Sequence, residues 1–205
     1  MKTRYYIVSG CLLAAIMIYF LIPSSYEIRN ANPTSDIIIC FGDSLTHGIG
    51  AKKGMDYPTQ LSGLIGREII NAGVPGDTTT TALARIDNIL EKRPGIVLLT
   101  LGGNDLKNRA NKNTVFKNLE IIINKLQENG ALVVLGGIDV PVWGRGFGDA
   151  YEELAERTGS VLVPNVFEDI IGKRRLMSDP IHPNSEGYTI MANHFYKAVK
   201  PHLQN

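Results

Sequence analysis

The chain has 205 residues, 44% of them hydrophobic, and its 21 basic and 20 acidic side chains leave a formal net charge of +1. This length suffices for one domain with a sizeable core, and the near-neutral charge argues against a nucleic-acid partner. The two cysteines, Cys11 and Cys40, both lie in apolar runs. The sequence therefore offers neither a disulfide framework nor the spacing of a zinc site.

The chain begins with an uncharged apolar run, Tyr5 to Ile22, which follows Lys2 and Arg4. As a helix this run would span roughly 27 Å, close to the thickness of the hydrocarbon core of a bilayer. A basic flank before such a run is typical of a signal peptide or a signal anchor, and the lack of a small-x-small cleavage site favours an uncleaved anchor.

These features predict the domain organisation of the chain. We expect a transmembrane or signal helix over residues 1–22, a linker over 23–35 and a folded domain over 36–205. The positively charged N-terminal end is expected to stay on the cytoplasmic side of the inner membrane. The folded domain is therefore expected on the other side, in the periplasm or cell envelope.

Five short apolar or β-branched runs in the remaining chain predict strands: DIIICF (36–41), EIINAG (68–73), IVLLTLG (96–102), ALVVLGG (131–137) and SVLVPN (160–165). Apolar residues at helical spacing predict helices over 78–92, 114–130, 149–159 and 184–200. Continuously apolar strands that alternate with helices are typical of a parallel sheet with helices on each side. The pattern therefore predicts an α/β fold.

In such a sheet, ligands bind beyond the carboxyl ends of the strands. The segments after the predicted strands are rich in Gly, Asp, Asn, Ser and His: GDSLTHG, NAGVPGDTT, LGGNDL, GGIDVPVWGRG and, after a short helix, SDPIHPNSEG. Parallel strands bring these segments to one edge of the sheet. We therefore expect the functional site there.

Ser44 lies in the first of these loops, at a predicted strand-to-helix turn. Asp43 or Ser44 would suit a helix cap, but the same turn also presents a backbone N–H to a developing oxyanion. A nucleophilic serine needs a base within hydrogen-bond reach, and His47 and His182 are the two candidates. Asp179 precedes His182 by three residues, a spacing that lets its carboxylate hold one ring nitrogen. No such partner is evident for His47.

Two further loops offer donors for an oxyanion hole. Gly73 can bring its backbone N–H close because it has no side chain, and Asn104 carries an amide N–H₂ group. Each would equally suit an ordinary turn. G-x-S-x-G is absent around Ser44, because Thr46 stands in its last position, so the nucleophile elbow of the α/β-hydrolase fold is not indicated.

Together these motifs resemble the SGNH hydrolases, also called the GDSL family of esterases and lipases. They look most similar to its bacterial thioesterase/lysophospholipase and arylesterase branch. The resemblance rests on FGDSLTHG around Ser44, NAGVPGDTT around Gly73, LGGNDL around Asn104, and DPIHPN with Asp179 and His182. It implies a flavodoxin-like, three-layer α/β/α sandwich with a five-stranded parallel sheet.

The same resemblance implies roles for individual residues. Ser44 would be the nucleophile, His182 the base and Asp179 its partner. The oxyanion hole would consist of Ser44, Gly73 and Asn104. No metal or cofactor is needed for this chemistry.

The expected activity is hydrolysis of ester, or thioester, bonds in lipid or small acyl substrates, such as lysophospholipids or aryl and alkyl esters, through an acyl-enzyme. Val142, Trp143 and Phe147 are candidates to line an acyl groove, although they would equally suit loop packing. Two alternatives stay open, a carbohydrate O-acetyl esterase acting on cell-envelope sugars and a non-catalytic binding module. We expect a monomer that contacts the membrane through its N-terminal segment and binds no nucleic acid.

Overall fold

The computed structural model describes residues 26–140, 144 and 146–203. The predicted anchor or signal segment, 1–22, lies outside the described residues. Within them, no helix has both the length and the apolar character that crossing a bilayer requires.

Strands and helices alternate along the described chain. The strands are β1 (Ile38–Gly42), β2 (Ile69–Gly73), β3 (Ile96–Thr100), β4 (Leu132–Gly136) and β5 (Val161–Val163). The helices are α1 (Ser44–His47), α2 (Tyr57–Ile65), α3 (Thr79–Ala84), α4 (Asp87–Leu90), α5 (Gly103–Lys107), α6 (Lys112–Glu128), α7 (Phe147–Thr158) and α8 (Ser185–Val199). Short 3-10 helices follow β5 at Arg174–Leu176 and α8 at Lys200–His202.

The strands form one parallel sheet in the order β2-β1-β3-β4-β5, which is the order of flavodoxin-like doubly wound sheets. The predicted five-stranded parallel sheet is thereby confirmed. β1, β3 and β4 are buried along their whole length because helices cover both of their faces. On one side α2 packs against α8, and on the other α6 packs against α3 and α7.

The predicted helix over 78–92 is instead two short helices, α3 and α4. The break falls at Arg85, whose backbone has φ −111° and ψ 13° and whose side chain turns toward the carboxyl ends of β1 and β2. Leu83, Ile86 and Leu90 keep helical spacing across this break, so hydrophobic periodicity does not reveal it.

Part of the predicted linker packs against the domain. The Tyr26 hydroxyl donates a hydrogen bond to the Ser160 carbonyl at 2.7 Å. The Asn30 side-chain amide donates to the carbonyls of Gln127 and Ala131 at 2.8 and 3.0 Å. Ala131 and Ser160 immediately precede β4 and β5. The chain therefore enters the domain at the amino ends of these strands, opposite the edge where the polar loops meet.

Candidate active site

Ser44 is the first residue of α1 and lies just beyond the carboxyl end of β1. Asp43 caps this helix, because its carboxylate accepts a hydrogen bond from the N–H of Leu45 at 2.9 Å. The first N–H groups of a helix have no acceptor within the helix, so the turn presents the N–H of Ser44 beside its hydroxyl. One local structure thus serves as helix cap and as support for the serine.

Two glycines let α1 lie directly against the strand ends. A β-carbon on Gly42 would stand 2.2 Å from Oγ1 of Thr46 and 2.4 Å from the carbonyl oxygen of Thr100. A β-carbon on Gly73 would stand 2.2 Å from the backbone nitrogen of His47. Any larger residue at either position would push α1, and Ser44 with it, away from the sheet.

His182 connects Ser44 to Asp179. Its Nε2 lies 3.0 Å from Oγ of Ser44, and its Nδ1 lies 2.6 Å from Oδ2 of Asp179. The other carboxylate oxygen of Asp179 accepts hydrogen bonds from the N–H groups of Ile181 and His182 at 2.9 and 2.8 Å. The structure therefore brings together the serine, histidine and acid that the sequence singled out.

The loop itself keeps Asp179 ionised. Desolvation is the largest single influence and raises the pKa of this carboxyl, but hydrogen bonds from the His182 ring and from the N–H groups of Ile181 and His182 outweigh it. The pKa of Asp179 is consequently below its ordinary value. An ionised Asp179 favours the tautomer with the proton on Nδ1, which leaves Nε2 as an acceptor for the Ser44 hydroxyl.

The other histidines lie elsewhere. His47 is exposed on α1, and Nδ1 of His202 donates to the carbonyl of Ala31, 3.0 Å away, near the amino ends of the strands. His194, on α8, has a buried Nδ1 without a hydrogen-bond partner among the described residues. None of the three makes a hydrogen bond to Ser44 within the described part of the chain.

The two further oxyanion-hole candidates both have partners in this structure. The Asn104 side-chain amide donates to the carbonyl of Asp77 at 2.9 Å and, at 3.4 Å, approaches Oδ2 of Asp43. The N–H of Gly73 donates to Oδ1 of Asn71 at 2.9 Å. An oxyanion would therefore compete with Asp43 for the second N–H of Asn104 and with Asn71 for the N–H of Gly73.

Three buried carboxylates surround the Ser44 loop. Burial is the main cause that raises the pKa of Asp43 to about 7, and repulsion from Asp77 and Asp105 contributes. Asp77 is paired with the Arg85 guanidinium at 2.6 Å. Asp105 accepts from the N–H and the hydroxyl of Thr79 at 2.9 and 2.8 Å. Despite this concentration of acids, no group of His, Cys, Asp or Glu in the described residues could hold a metal ion.

Sequence analysis did not single out Asp77, Arg85 or Asp105. The available signal is an acidic residue in each of the loops after β1, β2 and β3, together with one arginine within the apolar helical stripe between β2 and β3. Pattern alone does not show that these charges meet, because their pairing depends on the order of the strands in the sheet.

A cavity of about 1100 Å³ opens beside Ser44 and His182. Its apolar wall includes Leu106, Ile138, Val140, Phe167, Ile171 and Ile181. Lys107 and Arg109 also line it, and both of these side chains are exposed. Ser44, Asp179 and His182 thus lie at one end of the cavity, and most of the remaining lining is apolar.

Of the three predicted acyl-groove residues, the structure describes only Phe147, and Phe147 does not line the cavity. Val142 and Trp143 lie outside the described residues. Phe147 is buried at the start of α7 and packs edge-on against Phe116, with ring centroids 5.3 Å apart. This places Phe147 in the core between α6 and α7, where its aromatic ring supports the fold.

Comparison with known proteins agrees with this geometry. Residues 40–190 match the profile of the GDSL-like Lipase/Acylhydrolase family. An arylesterase of Vibrio mimicus is 30% identical over 185 residues, which cover 84% of this chain and 92% of the relative. Thioesterase 1/protease 1/lysophospholipase L1 of Escherichia coli is 28% identical over 176 residues, covering 82% of this chain and 85% of the relative.

Solved structures show the same fold. The crystal structure of TesA aligns with a TM-score of 0.78 at 27% identity, covering 82% of this chain and 100% of that one. AlinE4, an SGNH-hydrolase family esterase, aligns with a TM-score of 0.66 at 32% identity, covering 89% of this chain and 100% of that one. With the profile match extending over most of its length, the chain belongs to the GDSL-like lipase/acylhydrolase family and is an ester-bond hydrolase.

Proposed function

We propose that the protein is a serine hydrolase that cleaves carboxylic esters of acyl substrates through an acyl-enzyme formed on Ser44. The observation that carries this proposal is the unbroken hydrogen-bonded chain from Asp179 through His182 to the Ser44 hydroxyl. This chain ends at the wall of a largely apolar cavity, where an acyl group can be held.

In the first half of the reaction, Oγ of Ser44 attacks the ester carbonyl while Nε2 of His182 takes the hydroxyl proton. The ionised Asp179 stabilises the imidazolium that results. The oxyanion receives hydrogen bonds from the N–H groups of Ser44 and Gly73 and from the side-chain amide of Asn104. When the tetrahedral intermediate collapses, His182 returns the proton to the leaving alcohol, and the acyl group remains on Ser44.

The second half repeats these steps with water as the nucleophile. His182 takes a proton from the water as it attacks the acyl-enzyme carbonyl, and the same donors stabilise the second oxyanion. Collapse breaks the bond to Oγ of Ser44, which receives the proton from His182. The acid is released and the free serine is restored.

The cavity supports a substrate with an apolar acyl chain. Its wall of Leu106, Ile138, Val140, Phe167, Ile171 and Ile181 would remove several methylene groups from water, each worth about 0.8 kcal/mol. Lys107 and Arg109 would suit an anionic group on the leaving alcohol, as in a lysophospholipid. Because the Escherichia coli relative is named a thioesterase and a lysophospholipase, we include thioesters and lysophospholipids among the proposed substrates.

Two assays test this proposal and its alternatives. A fluorophosphonate probe should label the wild type and leave Ser44→Ala unlabelled; an unlabelled wild type would favour the non-catalytic binding module. Hydrolysis of p-nitrophenyl esters from acetyl to dodecanoyl should peak at medium or long chains. Activity confined to the acetyl ester, together with release of acetate from acetylated sugars, would favour the carbohydrate esterase.

We further propose that residues 1–22 anchor an exported, monomeric domain in the inner membrane. The support is the uncharged run after Lys2 and Arg4. Since the contacts of Tyr26 and Asn30 lie at the amino ends of β4 and β5, the cavity would open away from the anchor. Cell fractionation, N-terminal sequencing of the mature protein and size-exclusion chromatography test this; a soluble mature protein that begins after residue 22 would contradict the anchor.

A further inference from the structure

We propose that Arg85 is a positioning residue for the oxyanion hole, acting through the backbone at Gly73 and through Asn104. This inference rests on the proposed acyl-enzyme mechanism. Arg85 does not line the cavity among the described residues. Its effect on the reaction would therefore pass through the groups that it holds.

The guanidinium of Arg85 contacts three points behind the site. It meets Oδ2 of Asp77 at 2.6 Å, and its Nη2 donates to the carbonyl oxygens of Gly42 and Ala72 at 3.1 and 3.0 Å. The guanidinium also lies over the ring of Phe41, with Cζ 4.5 Å from the ring centroid. One side chain, only 20% exposed, thus joins the ends of β1 and β2 to the loop after β2.

The contact with Ala72 controls the direction of the Gly73 N–H. The peptide bond between Ala72 and Gly73 is planar and trans, so its C=O and its N–H point in opposite directions. Holding the carbonyl of Ala72 on the side of Arg85 therefore turns the N–H of Gly73 to the other side, where it meets Asn71. The pairing of Gly42 with Gly73 in the β1–β2 ladder holds the same peptide, and the hydrogen bond from Arg85 adds a second constraint on its carbonyl. Without Arg85, the peptide plane at this strand end would tilt away from the direction that the hole requires.

The contact with Asp77 controls the amide of Asn104. The carboxylate of Asp77 is held between Arg85 and the hydroxyl of Thr81, which donates to Oδ1 at 2.9 Å. The backbone carbonyl of the same Asp77 accepts one N–H of Asn104 at 2.9 Å, so an oxyanion would take the second N–H, which has only a long contact of 3.4 Å with Oδ2 of Asp43. A shift of Asp77 would consequently turn the Asn104 amide about its side-chain bonds.

Only a planar fork of donors can meet a carboxylate and two carbonyls at once, and arginine is the residue that supplies it. Lysine would keep a positive charge near Asp77 but would lose this simultaneous geometry. A buried ion pair by itself is weak evidence for a stabilising role, because desolvation offsets much of the attraction. The arrangement is better explained by the need to fix two donors in place.

The first test compares Arg85→Lys with the wild type on a p-nitrophenyl ester. Misplacing the hole should lower kcat by about 10- to 100-fold and change KM by less than about 3-fold. The matched control is Arg157→Lys, which alters a surface arginine that contacts Glu120 at 3.0 Å, and its kcat should stay within about 2-fold. An unchanged kcat in Arg85→Lys would overturn the proposal.

The second test separates positioning from general destabilisation. In a double-mutant cycle, Arg85→Lys should cost much less kcat in an Asn104→Ala background, because one of the donors that it positions is already gone. The same fold loss in both backgrounds would show that Arg85 does not act through Asn104 and would overturn that part of the proposal. If Arg85→Lys does not fold, Asp77→Asn takes its place, and its kcat loss should shrink in the same background; an undiminished loss counts against the proposal.

Failure of the inference about Arg85 can be distinguished from failure of the proposed acyl-enzyme mechanism. If Ser44→Ala retains full esterase activity, the acyl-enzyme mechanism is wrong regardless of Arg85. If Ser44→Ala is inactive and Arg85→Lys has a normal kcat, only the inference about Arg85 fails.

Discussion

Nε2 of His182 lies 3.0 Å from Oγ of Ser44, although 138 residues separate the two along the chain. His47 is three residues from Ser44, yet its side chain is exposed on α1. The parallel sheet explains this contrast, because it gathers the loops after different strands at one edge while α1 carries its later side chains away from that edge. Sequence proximity is therefore a poor guide to which histidine contacts Ser44.

Replacing His182 with alanine should lower kcat/KM for an aryl ester by at least about 1000-fold, because the Ser44 hydroxyl loses its proton acceptor. Replacing His47 with alanine should change kcat/KM by less than about 3-fold. Steady-state kinetics of the two variants, with thermal melting to establish folding, decide between them. A larger loss for His47→Ala would reverse the assignment of the base.

Asp179→Asn should lower kcat by roughly 100- to 10,000-fold with little change in KM, because asparagine neither stabilises the imidazolium nor enforces the tautomer with a proton on Nδ1. Asp169→Asn is the matched control. Its carboxylate is also exposed in a loop and contacts Lys173 at 2.8 Å, but it lies outside the site, so its kcat should be normal. Equal losses in the two variants would contradict the proposed role.

Asp43→Asn should change how stability depends on pH. In the folded protein the pKa of Asp43 is raised from 3.8 to about 7, so the native state binds a proton more tightly than the unfolded chain does. The free energy of unfolding therefore falls as pH rises from about 4 to about 7, and this group contributes at most roughly 4 kcal/mol to that fall. Urea titrations across this window should show a smaller fall for Asp43→Asn, which keeps a capping oxygen.

Parallel pH profiles of stability for the wild type and Asp43→Asn would show that this carboxyl titrates in its ordinary range when folded. Activity need not follow the same profile, so the comparison is made by unfolding rather than by kinetics.

Gly73→Ala should lower both stability and kcat. The new β-carbon would lie 2.2 Å from the backbone nitrogen of His47, so α1 or β2 must shift, at a cost of about 1–3 kcal/mol. Gly63→Ala, on the exposed face of α2 with no heavy atom within 4 Å of the new β-carbon, should instead stabilise by about 0.5–1 kcal/mol. A Gly73→Ala variant as stable and active as the wild type would rule out this close packing.

Ile171→Ser should affect long acyl chains selectively. Removing apolar area from the cavity wall should raise KM for an octanoyl ester by about 3- to 10-fold and leave the acetyl ester nearly unchanged. Leu64→Ser is the control, since Leu64 is 43% exposed on α2 and does not line the cavity. A uniform effect on all chain lengths would indicate that the acyl chain does not contact Ile171.

Sequence pattern sufficed for the strands because each contains a short apolar or β-branched run, and for β1, β3 and β4 that composition also matches burial along the whole strand. Sequence pattern was less reliable where a side chain's tertiary contacts, rather than hydrophobic periodicity, determine the backbone conformation. The stripe of Leu83, Ile86 and Leu90 predicts one helix, but the chain turns at Arg85, whose guanidinium is drawn to the carbonyls of Gly42 and Ala72. The energetic reason for that turn lies in residues distant along the chain.

By itself, the sequence determined the α/β architecture, the edge of the sheet where the polar loops meet, and the identity of Ser44, Asp179 and His182 as one group. Composition, periodicity and motif spacing are local properties, and they are enough for the first two conclusions, whereas the third also drew on the resemblance to the SGNH hydrolases. Only the tertiary structure decided that Phe147 belongs to the core, that Asn71 accepts the N–H of Gly73, and that the cavity beside Ser44 is lined by residues from several loops. These outcomes depend on which side chains meet across the strand order, and a linear pattern does not contain that information.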